Sequence, residues 1–408
     1  MSAPDSSSSL SSFSGALRVL MTTQRSFPYM GGVETHVFET ARRMVRQGVQ
    51  VTVLSTDVSG KLPPRDETEG VQLWRVPGYP ANGDLYFAPE LYRTIAANPD
   101  RWDLIHCQGI HTFVPPLAML AAQRHKIPYV LSFHSGGHSS SLRNAIRRAQ
   151  MATLRPLLAR AQKLIAVSQF EAHQFQDWLR LPASQFVVVP NGSHLDVSQV
   201  SASPEIAAAD TSKKNGLRTL LSVGRLEKYK GHHRIIEAMP AMLAQDPNVR
   251  LRIVGAGPYE AELQQLVHQL GLEDTVRIGA ISPSDRGGMA AAMTAADLVI
   301  LLSEYEAHPI AVMEALSLRR PVLVTHTSGL GEIADKGLVQ SIPLHSTTLE
   351  VADAILEQLR QPLVPQAITL PTWDDCVSQL LSIYRATVDA RLHPAPALSE
   401  GSHARHAA

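Results

Sequence analysis

The feature that most constrains this chain is an alternation of short apolar runs with helical stretches, repeated in two series. In the first, residues 17–22 (LRVLMT) form an apolar run of strand length, and a loop holding Gly31 and Gly32 follows. Apolar side chains then recur at helical spacing at Val33, Val37, Ala41, Met44 and Val45, Gly48 ends the helix, and 49–55 (VQVTVLS) is the next strand. Segments 102–106, 129–133, 163–168 and 186–189 read as later strands of the same sheet. The second series places strands at 219–223, 249–254, 276–278, 298–302 and 322–324, with helices at 235–244, 260–270, 289–295 and 310–318 between them. Strands alternating with helices at this pitch imply a mostly parallel sheet covered on both faces. Two series predict an α/β protein of two Rossmann-like, doubly wound domains, with the cleft between them as the expected ligand site.

Segment 196–216 is Ser- and Ala-rich, contains Pro204 and lacks periodicity, so it is expected to link an N-terminal domain at 16–195 to a C-terminal domain at 217–370. A helix is predicted at 371–390, with Val377, Leu380, Leu381 and Tyr384 on one face, and is expected to pack back on the N-terminal domain. Residues 1–15 and 391–408 are expected to be disordered tails. The length, 408 residues, agrees with two cores rather than one.

Charge narrows the function classes. There are 37 Lys and Arg against 37 Asp and Glu, so the net charge is zero and bulk attraction to nucleic acid is not expected. Cys107 and Cys376 are too few for a disulfide framework, and no Cys/His spacing suggests structural zinc; both read as buried thiols in a reducing compartment. No signal peptide is evident, and apolar runs such as 296–302 fall well short of the roughly 18–20 residues that span a bilayer. A cytoplasmic location is expected.

The chemistry gathers in the second series. Gly224, Arg225 and Leu226 follow the first strand, and Lys230 and Gly231 precede a helix. A glycine there lets backbone approach a ligand, Arg225 can fork two phosphate oxygens, Lys230 supplies a point charge, and the helix points its N-terminus at the site. Taken alone, the same residues also describe a surface turn with two solvated cations. Further on, SEYEAHPIAVME spaces Glu306 and Glu314 eight apart, with Pro309 where a helix should start. Carboxylates at that end of a sheet can hold sugar or ribose hydroxyls; two solvated glutamates are the plain alternative. Gly255-Ala256-Gly257 invites a dinucleotide reading, but the third glycine would fall on Glu260, so a hydride-transferring cofactor is not supported. Gly255 is read as a close-approach turn beside a nucleotide.

In this order the motifs resemble those of glycosyltransferase family 4, enzymes of the GT-B fold that use nucleotide-sugar donors. The resemblance covers about residues 17–390 and is sharpest from 222 to 333. SVGRLEKYKGHHRIIEAM is similar to the donor-phosphate loop, SEYEAHPIAVMEALSLRRPVLVT to the E-x7-E block, and TSGLGEIADKG to the turn after it. PYMGGVETHV resembles the first-domain glycine loop, LSFHSGGH the segment with the active-site histidine, and VVPNGSHLD the domain-closing strand. The resemblance implies that Arg225 and Lys230 neutralise the diphosphate, Glu314 holds the ribose, Glu306 contacts the transferred sugar and His134 lines the reaction centre. Gly32 would let the first-domain loop approach phosphate or acceptor. Pro309 stands where the family commonly has glycine and has no N–H, which leaves Ile310 and Ala311 as phosphate donors.

A retaining, metal-independent transfer of a hexose-type sugar to a glycan or lipid-linked acceptor is the implied activity, in cell-surface polysaccharide or glycolipid assembly. No D-x-D occurs in the chain, so neither a metal site nor a cofactor is expected. A GT-B-fold nucleotide-sugar epimerase and a catalytically silent nucleotide-sugar-binding subunit remain open. Among the 17 histidines, His106, His111, His138, His232 and His233 also fall near these loops, and only the FHSGG context singles out His134. Finally, no acidic residue lies between Asp103 and Glu171, while Arg124, Lys126, Arg143, Arg147, Arg148, Arg155, Arg160 and Lys163 do. Segment 141–163 could present a basic amphipathic face to an anionic membrane, or simply a solvated helix. The first reading would make the enzyme peripheral on the inner face of the plasma membrane.

Overall fold

The computed structural model describes residues 15–393 except 30, 82–85, 136–140, 194–215, 283–284 and 367. The expected linker and most of both tails therefore lie outside the described residues. Strands β1 (Arg18–Thr22), β2 (Gln50–Asp57), β3 (Arg65–Thr68), β4 (Val71–Pro77), β5 (Leu104–Gln108), β6 (Tyr129–Ser132), β7 (Leu164–Ala166) and β8 (Phe186–Val188) make the first sheet, in the order β3-β4-β2-β1-β5-β6-β7-β8. Every pairing is parallel except β3 with β4. That edge hairpin was not foreseen: Arg-Asp-Glu-Thr has no apolar signal and becomes a strand only by pairing with β4. The second sheet holds β9 (Arg218–Val223), β10 (Val249–Val254), β11 (Val276–Gly279), β12 (Leu298–Leu301), β13 (Val322–His326) and β14 (Gln340–Pro343), all parallel, in the order β11-β10-β9-β12-β13-β14. The GT-B architecture expected from the sequence is the one observed.

Side chains on each strand alternate between two packed layers. Along β1, Val19 and Met21 enter one core with helix Gly32–Arg46, while Leu20 enters the other with Ile105 and Phe133. The last helix, Trp373–Leu392, returns to the first sheet: Trp373, Cys376, Val377, Leu380, Leu381, Tyr384 and Val388 share the core of Val19, Val37 and Met44. A Thr372–Asp375 capping box starts this helix. The crossing is tight, since a Cβ on Gly192 would lie 2.2 Å from the Trp373 amide nitrogen. Cys107 and Cys376 are buried free thiols, each pushed up to about 12 by burial.

Strand order reverses at β1, between β2 and β5, and at β9, between β10 and β12. A crevice opens at the carboxyl ends of such strands, and the motif residues sit there. The two domains touch across it: the Phe170 amide donates to Glu332 Oε2 at 3.2 Å, and Asn191 Nδ2 donates to the His308 carbonyl at 3.3 Å. Among the described residues, no helix is long and apolar enough to cross a membrane.

Candidate active site between the two sheets

The second domain contributes most of the charge. The chain leaves β9 at Val223, passes Gly224–Leu226 and turns into helix His232–Gln245 at Gly231, whose φ is +75°. Glycine is obligatory there, since a Cβ would also lie 2.1 Å from the Leu302 carbonyl oxygen. This turn delivers Lys230 to Glu306, with Nζ 2.5 Å from Oε1 and side chains 16% and 12% exposed. Burial pushes the Lys230 ammonium down, but Glu306 more than reverses this and leaves it above its ordinary value. Glu306 also accepts from Ser303 Oγ at 2.9 Å, and its own amide donates to Ser328 Oγ at 2.9 Å. Gly329 backs the same loop, because a Cβ there would lie 1.9 Å from the Ala307 carbonyl. Arg225 is different. It is 57% exposed and pairs with Glu227 at 3.1 Å.

The glycines separate into two kinds. A Cβ on Gly224 would meet nothing closer than 3.7 Å, so the fold does not demand glycine there. A Cβ on Gly255 would lie 1.9 Å from the Gly224 carbonyl oxygen, and one on Gly257 2.4 Å from that of Leu226. The close approach expected at Gly255 is therefore to the 224–226 backbone, which it seats in position.

Helix Ile310–Ser317 starts behind Glu306. Pro309 is its N-cap and has no capping side chain; Val312 and Met313 amides both bond to the Pro309 carbonyl. The amides of Ile310 and Ala311 have no partner among the described residues, as expected for a helix start that faces an anion. Ile310 packs against the first-domain cluster that holds Met21, Val37 and Met44, which brings this helix start to the interface. Glu314 is buried and paired with Arg286, a partner the sequence reading missed. Burial raises its carboxyl, and Arg286 pulls it partly back.

The first domain supplies a cluster of neutral imidazoles. His134 follows β6 in the left-handed region, φ +45°, with Nε2 2.7 Å from Gln108 Oε1. Its ring meets His36 edge-on, centroids 4.4 Å apart. Asn191 Oδ1 sits 2.8 Å from His36 Nδ1, and His106 Nε2 sits 2.8 Å from Ser132 Oγ. Burial pushes all three imidazoles down, His36 to about 4, so they are neutral at neutral pH. Gly32 opens helix Gly32–Arg46, and a Cβ on it would meet no atom within 4 Å. His36, Gln108, Asn191 and Tyr305 were not singled out from sequence. His36, Asn191 and Tyr305 do lie inside motif segments, where helical or loop context hid them.

Of the other histidines, His232 is a structural link from Ser222 Oγ (2.9 Å) to the Arg225 carbonyl (3.3 Å), and His138 lies outside the described residues. Part of the basic segment is engaged within the protein. Helix Ser141–Leu158 turns Met151 and Leu158 into the first core, with Leu154 and Leu157 packed against it. Arg155 bonds the Leu179 carbonyl, Lys163 the Ser184 carbonyl and Arg160 the Gln123 side chain, at 2.8, 2.7 and 3.0 Å. Burial pushes the Arg147 guanidinium down, and Tyr305 and Tyr229 oppose that shift.

Comparison with known proteins agrees with this geometry. The Glycosyltransferase Family 4 model matches residues 30–197, and the Glycosyl transferases group 1 model matches 205–362. The D-inositol 3-phosphate glycosyltransferase of Nocardiopsis dassonvillei is 28% identical over 398 residues, covering 89% of this chain and 91% of that protein. The phosphatidyl-myo-inositol mannosyltransferase of Mycobacterium leprae is 28% identical over 391 residues, covering 90% and 96%. Anabaena Alr3699/HepE, solved with UDP-glucose, superposes with a TM-score of 0.67 at 20% identity, covering 92% of this chain and 99% of that one. With one model on each sheet and a GT-B neighbour spanning both, the chain belongs to the family 4 glycosyltransferases of the GT-B fold.

Proposed function

We propose that the protein transfers a hexose-type sugar from a nucleoside-diphosphate sugar to a hydroxyl of a glycan or lipid-linked acceptor, with retention and without a metal. Assembly of cell-surface polysaccharide or glycolipid is the setting this reading favours. One observation carries it. Lys230, Glu306 and the unbonded amides of Ile310 and Ala311 gather at one helix start, and Ser135, beside His134, reaches Tyr305, beside Glu306, at 2.7 Å. Breaking the anomeric C–O bond leaves its electron pair on the diphosphate. Lys230, Arg225 and the two amides would take up that charge, as fixed dipoles do in a water-poor cleft. Lys230 would then exchange Glu306 for phosphate, freeing the carboxylate for sugar hydroxyls, while Glu314 holds the ribose. Neutral His134 would line the acceptor side. The acceptor proton would pass to the departing diphosphate oxygen, so no dedicated base is required.

Thermal stabilisation by UDP-, GDP- and ADP-sugars, followed by product analysis with and without chelator, tests this reading. Stabilisation by one nucleotide series and acceptor-dependent transfer of a retained anomer are expected. Conversion of the donor sugar without acceptor would mark an epimerase instead, and binding without turnover a silent subunit. Contact of segment 141–163 with anionic lipid belongs to the same proposal and would be electrostatic, since Met151 and Leu158 are taken up by the core. Equal pelleting with neutral and anionic vesicles would refute it.

A further inference from the structure

His134 and Glu306 belong to different domains. Their neighbours meet. Ser135, the residue after His134, has its Oγ 2.7 Å from the hydroxyl of Tyr305, the residue before Glu306. Tyr305 Oη also lies 2.9 Å from Gln174 Oε1, so its one proton is shared between that oxygen and Ser135 Oγ, and its ring meets Phe170 edge-on, centroids 5.7 Å apart. On the first-domain side, Ser135 is pinned by a fully buried carboxylate. Glu171 Oε1 accepts from the Ser135 amide at 2.6 Å and from Ser135 Oγ at 2.5 Å, while Oε2 accepts from the Val167 amide at 2.8 Å. Glu171, Gln174 and Phe170 share helix Gln169–Leu179, so one rigid element holds both ends of the contact.

We infer that Tyr305 and Ser135 form a latch between the domains, with Glu171 as its anchor, and that Tyr305 is a positioning residue setting His134 against Glu306. Two features require such a restraint. His134 has φ +45°, a conformation that a residue with a Cβ holds only when its surroundings impose it. Ser135 and Tyr305 are the chain neighbours of His134 and Glu306, with consecutive Cα atoms about 3.8 Å apart, so a shift in the Ser135–Tyr305 contact is passed directly to both. A misplacement of about 1 Å in a reacting constellation already costs on the order of 100-fold in rate. The latch rests on the transferase reading above for its catalytic consequence, but not for its effect on domain closure.

The test is Tyr305→Phe, which removes the hydroxyl and keeps the ring on Phe170, with Ser135→Ala as a second variant and the double variant. In the full-length protein, each single variant is expected to lower kcat about tenfold, with donor KM and nucleoside-diphosphate Kd within about twofold of wild type. The double variant should be no worse than the worse single one, because both cut the same contact. Small-angle scattering should show a larger radius of gyration for Tyr305→Phe with nucleotide bound. Wild-type kcat and wild-type scattering for Tyr305→Phe would overturn the latch, and so would additive losses in the double variant. If wild type neither binds nucleotide nor transfers sugar, the transferase reading fails instead, and ligand-free scattering of the same variants still decides the latch.

Discussion

The Lys230–Glu306 pair makes the sharpest prediction, because it must break for the proposed reaction to begin. Its atoms are 2.5 Å apart and its side chains 16% and 12% exposed. Removing one partner of a fully buried pair costs about 3–5 kcal/mol, and an exposed pair is worth under about 1. For this mostly buried pair, Lys230→Met should cost about 2 kcal/mol, or about 4–8 °C in Tm for a domain of this size. Glu306→Gln keeps shape and the Ser303 bond and should cost less. The double variant should show a coupling of about 1–2 kcal/mol in calorimetry. Ligand binding separates the roles. Lys230→Met should weaken nucleoside diphosphate by about 10–100-fold, the worth of a charge-assisted contact. Glu306→Gln should leave that affinity unchanged or raise it up to about tenfold, since Lys230 no longer gives up a carboxylate, while transfer falls at least about 100-fold. A Glu306→Gln protein that loses nucleotide affinity as severely as Lys230→Met would refute the exchange.

Three other outcomes follow from the same geometry. Gly224→Ala should leave Tm within about 1 °C yet weaken nucleotide binding, whereas Gly231→Ala, strained at φ +75° and 2.1 Å from a carbonyl, should lower stability by about 2 kcal/mol or more in denaturant titration. His36 and His308 are each pushed down by burial from 6.5 to about 4, so the unfolded chain binds more protons between those values. Their stabilisation is full above pH 6.5 and declines as pH falls towards 4, by about 1–2 kcal/mol each at pH 5, and a flat Tm from pH 7 to 5 would contradict it. Gly192→Ala, whose Cβ would strike the Trp373 backbone, should undock helix Trp373–Leu392, read as faster proteolysis after residue 371.

Much of the site was legible because its motifs lie where strands end. Arg225, Lys230, Glu306 and Glu314 could be placed at the carboxyl edge of a parallel sheet from spacing alone, and the structure puts them there. Their partners could not be read. Arg286 lies 28 residues before Glu314, and Glu171 lies 36 after Ser135, with no local pattern linking either pair. The role of the basic helix could not be read for a related reason. A run of cations looks the same in sequence whether it faces lipid, capping carbonyls or the cleft, and here Arg155 and Lys163 bond carbonyls.

What the sequence determined by itself is the repeating unit. Apolar strand, turn glycine and amphipathic helix are short-range signals, and parallel pairing with right-handed crossovers leaves little choice once they repeat. Tertiary structure decided the rest: that Gly255 is required by the Gly224 carbonyl, that His36, His106 and His134 form one neutral cluster, and that Tyr305 reaches Ser135. Those are contacts between segments 26 to 170 residues or more apart, created by stacking strand ends side by side. Their energies depend on burial and distance, which exist only once both sheets are assembled.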